Sequence, residues 1–269
     1  MATKKASTTK KATTTRKKTV STTKTKTSAA AVTATSVPSF SASIRQASFW
    51  RSLSAELLGT FLLTAVVIVG QGQPLYTMFG LVGIILLLGT VSGAHVNPAI
   101  TIGAWVTRRI SWLRAIGYII FQILGALLAL VVLTTFIGGA GAADATSLYG
   151  QPTLFVAAEL LKDKELYVFF AEVLGTAILA LAVANALRPG QERLTAAFTG
   201  GLGIFVALMI GFIVTSYVSG TSIINPAIAF SLEAISWNVW PIAVYIVAPI
   251  VGGVIGFLVN DLLKGRSAA

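Results

Sequence analysis

Asn97-Pro98-Ala99 and Asn225-Pro226-Ala227 are one tripeptide in two places, each behind an apolar run of membrane length. Asparagine is a strong helix N-cap, and proline suits the first helical position because an N–H there has no partner anyway. Each copy therefore predicts the start of a short helix. A short helix that starts inside a membrane turns free N–H groups and the positive end of its dipole toward whatever lies beyond. Two such ends facing each other would hold a neutral dipole such as water and repel a cation.

Three ionisable side chains fall close to these turns or inside apolar runs. Glu56 and Glu172 sit within predicted spans, where an ionisable group is costly and is usually functional. They could relay protons, or they could accept hydrogen bonds from loose backbone N–H groups of re-entrant loops. His95, two residues before Asn97, could titrate as a gate or could fix its own loop.

The elements that position these residues are long and apolar. Spans are predicted at 52–70, 75–91, 111–136, 166–187, 194–218 and 238–263, and short helices at 98–107 and 226–235. The stretch AELLGTFLLT at 55–64 matches AEVLGTAILA 116 residues later, and the two Asn-Pro-Ala copies are 128 residues apart. Each repeat is span, span, short helix, span. Three spans is an odd number, so the second repeat is inverted in the membrane and the two short helices meet near its midplane. The expected fold is an all-α membrane protein of six transmembrane helices plus two re-entrant half-helices in inverted repeats.

Composition agrees. Of 269 residues 55% are hydrophobic and 11% charged, with mean hydropathy +0.83; a soluble domain carries about 25% charged residues. The chain has no cysteine, which excludes disulfides, thiol catalysis and thiolate metal sites, and its single histidine argues against a histidine-based metal site. Neither a cofactor nor a catalytic centre is expected.

The net charge of +11 belongs to one end. Residues 1–51 hold 11 of the 20 Lys and Arg and no acid. Residues 1–45 read as a disordered, basic, Lys- and Thr-rich tail, and 46–265 as the membrane domain. The tail lacks an apolar signal core and could be a solvated arm, contact anionic lipid or nucleic acid, or act as a transit peptide. Arg108, Arg109, Arg114, Arg188, Arg193, Lys264 and Arg266 fall on the tail's side of a six-span chain, which makes that side cytoplasmic. All five tryptophans fall at predicted helix ends, as in an interfacial belt.

AELLGT, SGAHVNPA, YIIFQILGA, AEVLGT, the second Asn-Pro-Ala and APIVGG together resemble the major intrinsic protein family of aquaporins and glycerol facilitators, over roughly residues 50–263. The resemblance implies one pore per subunit, homotetramers in a cell membrane, and passage of water or small neutral solutes. It implies that Glu56 and Glu172 brace the re-entrant loops. It implies that backbone carbonyls of Gly93, Ala94 and His95, and of Gly220, Thr221 and Ser222, line the pore. Water-selective members carry Arg, His and Phe in their filter. Counting by position, this chain offers Ile228, Ile213 and Thr77, with Ser222 as the fourth member, or Thr221 if TSIIN carries an insertion. That quartet has no charge and no aromatic ring, so strict water selectivity is not expected. A secondary transporter with Glu56 and Glu172 as coupling sites is the rival architecture.

Overall fold

In the computed structural model the described residues are 44–139 and 154–264, all within the unit Pro38–Ala269. The expected tail lies outside them, apart from Ile44 and Arg45. The elements are α1 Ala47–Val69, α2 Pro74–Ser92, half-helix α3 Pro98–Val106, α4 Trp112–Gly139, α5 Glu165–Ala186, α6 Arg193–Val218, half-helix α7 Pro226–Ser231, α8 Val239–Ile242, a π turn at Ala243–Val247, and α9 Ala248–Lys264. Among the described residues six stretches are long and apolar enough to cross a membrane, the last running from Val239 to Lys264. No strand occurs among the described residues.

The two halves pack alike. Helix α1 lies against α2 and α4, and α5 lies against α6 and α9. The halves join where α2 meets α6, and each half-helix lies on the last span of the other half, α3 on α9 and α7 on α4. One face is tied together by charge: Arg109 pairs with Asp261, Arg188 donates to the Lys264 carbonyl, and Lys264 donates to Asn185. The basic loops after α3 and α5 therefore share a face with the end of α9, as expected from the sequence.

Local chemistry sets the ends. Helix α1 starts five residues before its expected start, because Phe49 packs on Leu53 and Tyr118 and the Trp50 indole donates to the Ile44 carbonyl at 2.7 Å. Half-helix α7 stops at Ser231 rather than 235. Glu233 takes φ 56°, and Ala234 N–H returns to the Ala229 carbonyl at 3.0 Å. Half-helix α3 ends the same way, with Arg108 at φ 61° and Arg109 N–H on the Ala104 carbonyl at 2.8 Å. The π turn sits just before Pro249, which has no N–H for the Tyr245 carbonyl.

Candidate functional site

The two half-helices meet N-terminus to N-terminus. Asn97 and Asn225 are extended, and each side-chain oxygen caps its own helix, accepting from Ala99 N–H at 2.9 Å and Ala227 N–H at 3.1 Å. Each side-chain amide then crosses to the other half. Asn97 Nδ2 donates to the Ile224 carbonyl at 2.8 Å, and Asn225 Nδ2 donates to the Val96 carbonyl at 2.9 Å. Every asparagine thus holds the residue that precedes the other asparagine.

Those two preceding residues are strained. Val96 has φ 41° and Ile224 has φ 50°, a region that β-branched side chains avoid. Each such residue costs on the order of 1–3 kcal/mol and persists only where its surroundings over-determine it. Here both ends of each residue are held. The Val96 carbonyl takes the Asn225 amide, while Val96 N–H donates to Glu56 Oε2 at 2.7 Å and His95 N–H to Oε1 at 3.0 Å. The Ile224 carbonyl takes the Asn97 amide, while Ile224 and Ile223 N–H donate to the two Glu172 oxygens at 2.7 Å each. Both glutamates are fully buried.

This geometry explains the repeated Ala-Glu-x-Leu-Gly-Thr. The glutamate reaches the loop, and the glycine three residues later makes room for the loop's strained side chain. A Cβ on Gly59 would lie 2.6 Å from Val96 Cγ1, and one on Gly175 would lie 2.9 Å from Ile224 Cγ2. Val96 and Ile224 were not singled out in the sequence. The available signal was a β-branched residue before Asn-Pro-Ala in both repeats.

The first half carries an extra network. Gln122 of α4 donates to Glu56 Oε2 at 2.7 Å and to Thr101 Oγ1 at 2.9 Å. The Thr101 hydroxyl donates to the Asn97 carbonyl at 3.0 Å, and His95 Nδ1 lies 3.3 Å from it. A hydroxyl that already donates must accept from the ring, so the network assigns the proton to Nδ1. The ring also meets Tyr118 edge-on at 5.4 Å, and the Tyr118 hydroxyl donates to the Ser92 carbonyl. His95 is held on two sides by its own loop's supports.

Two cavities flank the junction. On the basic face, one of about 170 Å³ is lined by Gly93, Ala94, Gly89, Leu187, Gln191 and Arg193 among others. On the other side, one of about 20 Å³ is lined by Asn225 together with Thr77, Ser222, Ile228, Leu208 and Phe155. Three expected filter residues therefore come together. Ile213 does not join them, and this corrects the count along α6. It is 55% exposed and shares an outward row with Leu202, Val206 and Met209. Ile204 and Leu208, one turn apart, face the cavity instead. Nine residues separate Ile204 from Ile213, about 180° of helical rotation. The Thr221 hydroxyl accepts the Ala158 N–H at 2.8 Å; His95, Gly220 and Thr221 line neither cavity. Phe155 lies on a loop and had no periodic signal. Among the described residues no group of His, Cys, Asp and Glu could hold a metal ion.

Comparison with known proteins gives the same architecture. The family model described as "Major intrinsic protein" matches residues 43–260. A "Glycerol uptake facilitator protein-like 6" of Lactiplantibacillus plantarum is 34% identical over 218 residues, 76% of this chain and 94% of that protein. An "Aquaporin Z" of Photorhabdus laumondii is 31% identical over 233 residues, 79% of this chain and 97% of that protein. The X-ray structure of the aquaglyceroporin from Plasmodium falciparum superposes with TM-score 0.61 at 22% identity, covering 79% of this chain and 96% of that one, a likeness of fold. With the matched region spanning both Asn-Pro-Ala turns, five spans and most of the sixth, the chain belongs to the major intrinsic protein family.

Proposed function

We propose that the junction of the two Asn-Pro-Ala turns is the ion-excluding midpoint of the pore. The chain is an integral, multi-pass membrane protein and a passive channel for water or small uncharged solutes. The observation that carries the midpoint is the reciprocal clasp of Asn97 and Asn225, with a cavity on either side. A side-chain amide has two donors. One from each asparagine is spent on the clasp, which leaves one N–H each for a passing solute. Two helix N-termini place positive potential there, and a cation would also have to shed its hydration. Exclusion of protons and cations rests on those two terms, because the filter has no arginine.

Of the six residues whose carbonyls were expected to line the pore, Gly93 and Ala94 on one side and Ser222 on the other line the two cavities, and His95, Gly220 and Thr221 do not. Thr77, Ser222 and Ile228 form the constriction, with Leu208 in place of Ile213. Its polar atoms are few: the Thr77 hydroxyl donates to the Gln73 carbonyl at 3.1 Å. A lining this apolar suits small neutral solutes as well as water, and the named relatives include both a glycerol facilitator-like protein and an aquaporin. Glu56 and Glu172 brace the loops; their oxygens are occupied by backbone N–H groups, which supports bracing over proton coupling. No chemical step is assigned to any residue.

The assembly in this reading is a homotetramer in the plasma membrane with both termini cytoplasmic. The basic composition of residues 1–45 would suit contact with anionic lipid or nucleic acid. Stopped-flow light scattering on proteoliposomes tests the reading with water, glycerol and urea. Flux should rise linearly with the osmotic or solute gradient. Saturating flux that requires a proton gradient would favour the transporter instead.

A further inference from the structure

The constriction has an aromatic wall that no helix supplies. Phe155 comes from the segment before α5, which crosses the outer end of α7 and is anchored to it. Ala157 N–H donates to the Leu232 carbonyl at 2.9 Å, just past the end of α7. Ala158 N–H donates to Thr221 Oγ1 at 2.8 Å, on the approach to the second Asn-Pro-Ala. Two hydrogen bonds to two flanks of one half-helix fix the chain two and three residues after Phe155. The ring then reaches the cavity of about 20 Å³ that Thr77, Leu208, Ser222 and Ile228 also line. That volume holds about one water.

The turn between α1 and α2 is shaped around the same ring. Gly72 has φ 67°, and a Cβ added there would lie 2.6 Å from the Phe155 Cζ. Phe155 is thus boxed by Gly72 on one side and by its own anchors on the other. Apart from Gly72 and the Asn225 amide, the remaining walls are aliphatic or hydroxyl-bearing, so this ring is the largest side chain lining the cavity.

We propose that Phe155 is a specificity-determining residue of the constriction, setting the width that separates water from small polyols and amides. The proposal rests on the pore reading of this cavity. Pore diameter and lining decide which neutral solute passes. Truncating a phenyl ring leaves space that an anchored backbone cannot close. A solute such as glycerol or urea gains that space, while water already fits.

The test compares water, urea and glycerol permeability of proteoliposomes carrying wild type, Phe155→Ala, Phe155→Leu, Gly72→Ala, the double variant Gly72→Ala/Phe155→Ala and, as a control on the pore reading, Ile228→Arg. All are checked for monodispersity before reconstitution. Phe155→Ala should raise the glycerol-to-water ratio by about tenfold, in the range expected for opening an apolar pocket, and Phe155→Leu by less. Gly72→Ala should change the ratio when the ring is present and leave it unchanged when the ring is gone. An unchanged ratio in Phe155→Ala, alongside a changed ratio in Ile228→Arg, overturns the role of Phe155 while the pore reading stands. Wild-type flux equal to that of empty vesicles overturns both. A Gly72→Ala effect of equal size in both backgrounds also overturns the proposal, because it would then act through the turn and not the ring.

Discussion

Replacing Glu172 by glutamine should cost this protein stability out of proportion to a change of one atom. The two carboxyl oxygens accept from Ile223 and Ile224 N–H at 2.7 Å each. Glutamine offers one acceptor oxygen and turns an NH₂ toward the second N–H. One hydrogen bond to a charged group is lost, about 1.5–3 kcal/mol, and the bond that remains is weakened to a neutral one. The total is about 2–4 kcal/mol. The strained φ of Ile224 is released if the loop lets go, so part of the cost can be avoided only by losing the junction. For a chain of this size each kcal/mol moves the midpoint by about 2–4 °C, which gives a drop of roughly 5–15 °C. The assay is thermal unfolding of detergent-solubilised protein, with flux measured at a temperature where both forms are folded. A variant with an unchanged midpoint and unchanged flux would show that Glu172 does not brace the loop. An unchanged midpoint with loss of gradient-driven flux would support proton coupling instead.

Three more outcomes follow from the same geometry. Asn97→Asp and Asn225→Asp each remove the amide that crosses to the other half and place a carboxylate where two helix N-termini meet, so both should reduce water flux or fold poorly; wild-type flux and ion exclusion in both would refute the midpoint. Gly59→Ala should lower the unfolding midpoint because its Cβ would collide with Val96 Cγ1, and adding Val96→Ala should recover most of the loss; no recovery would mean that the close contact is not what matters. Ile228→Arg should lower the glycerol-to-water permeability ratio in folded protein, since a guanidinium narrows the cavity and adds donors for water; an unchanged or higher ratio removes Ile228 from the constriction.

The architecture was legible because it is written in periods and repeats. Apolar runs of span length, the duplicated Ala-Glu-x-Leu-Gly-Thr and the duplicated Asn-Pro-Ala fix the element order and place the half-helices opposite each other. Most span ends fall within one or two residues of expectation. Three ends do not: α4 runs on to Gly139, three residues past its expected end, and the other two differ for tertiary reasons. Helix α1 extends back to Ala47 because Phe49 finds Tyr118 of α4. Half-helix α7 stops early at a non-glycine residue, Glu233, which carries no stop signal in SLEAIS.

The site divides in the same way. Capping by Asn97 and Asn225 is local chemistry and reads directly from the tripeptide. The clasp between them is a contact across more than a hundred residues, and only the repeat hints at it. Ser222 and Ile228, each three residues from Asn225, and Thr77, counted on the second span, line one cavity. Ile213 does not join them, because its position was counted along the chain and not around the helix. The outward row Leu202, Val206, Met209 and Ile213 was present in the sequence, yet a helix apolar on every face gives no contrast with which to orient it. Phe155 depends on the path of a loop, and loop paths have no period.

In the proposed pore, solute passes the Asn97–Asn225 junction while ions do not. Proteoliposomes loaded with a pH-sensitive dye measure both quantities on one sample: osmotic shrinkage gives water permeability, and an imposed pH step gives proton leak. Water permeability should exceed that of empty vesicles, with proton leak no greater than theirs. Water permeability equal to that of empty vesicles, or a proton leak that rises in step with water flow, would contradict the proposed pore.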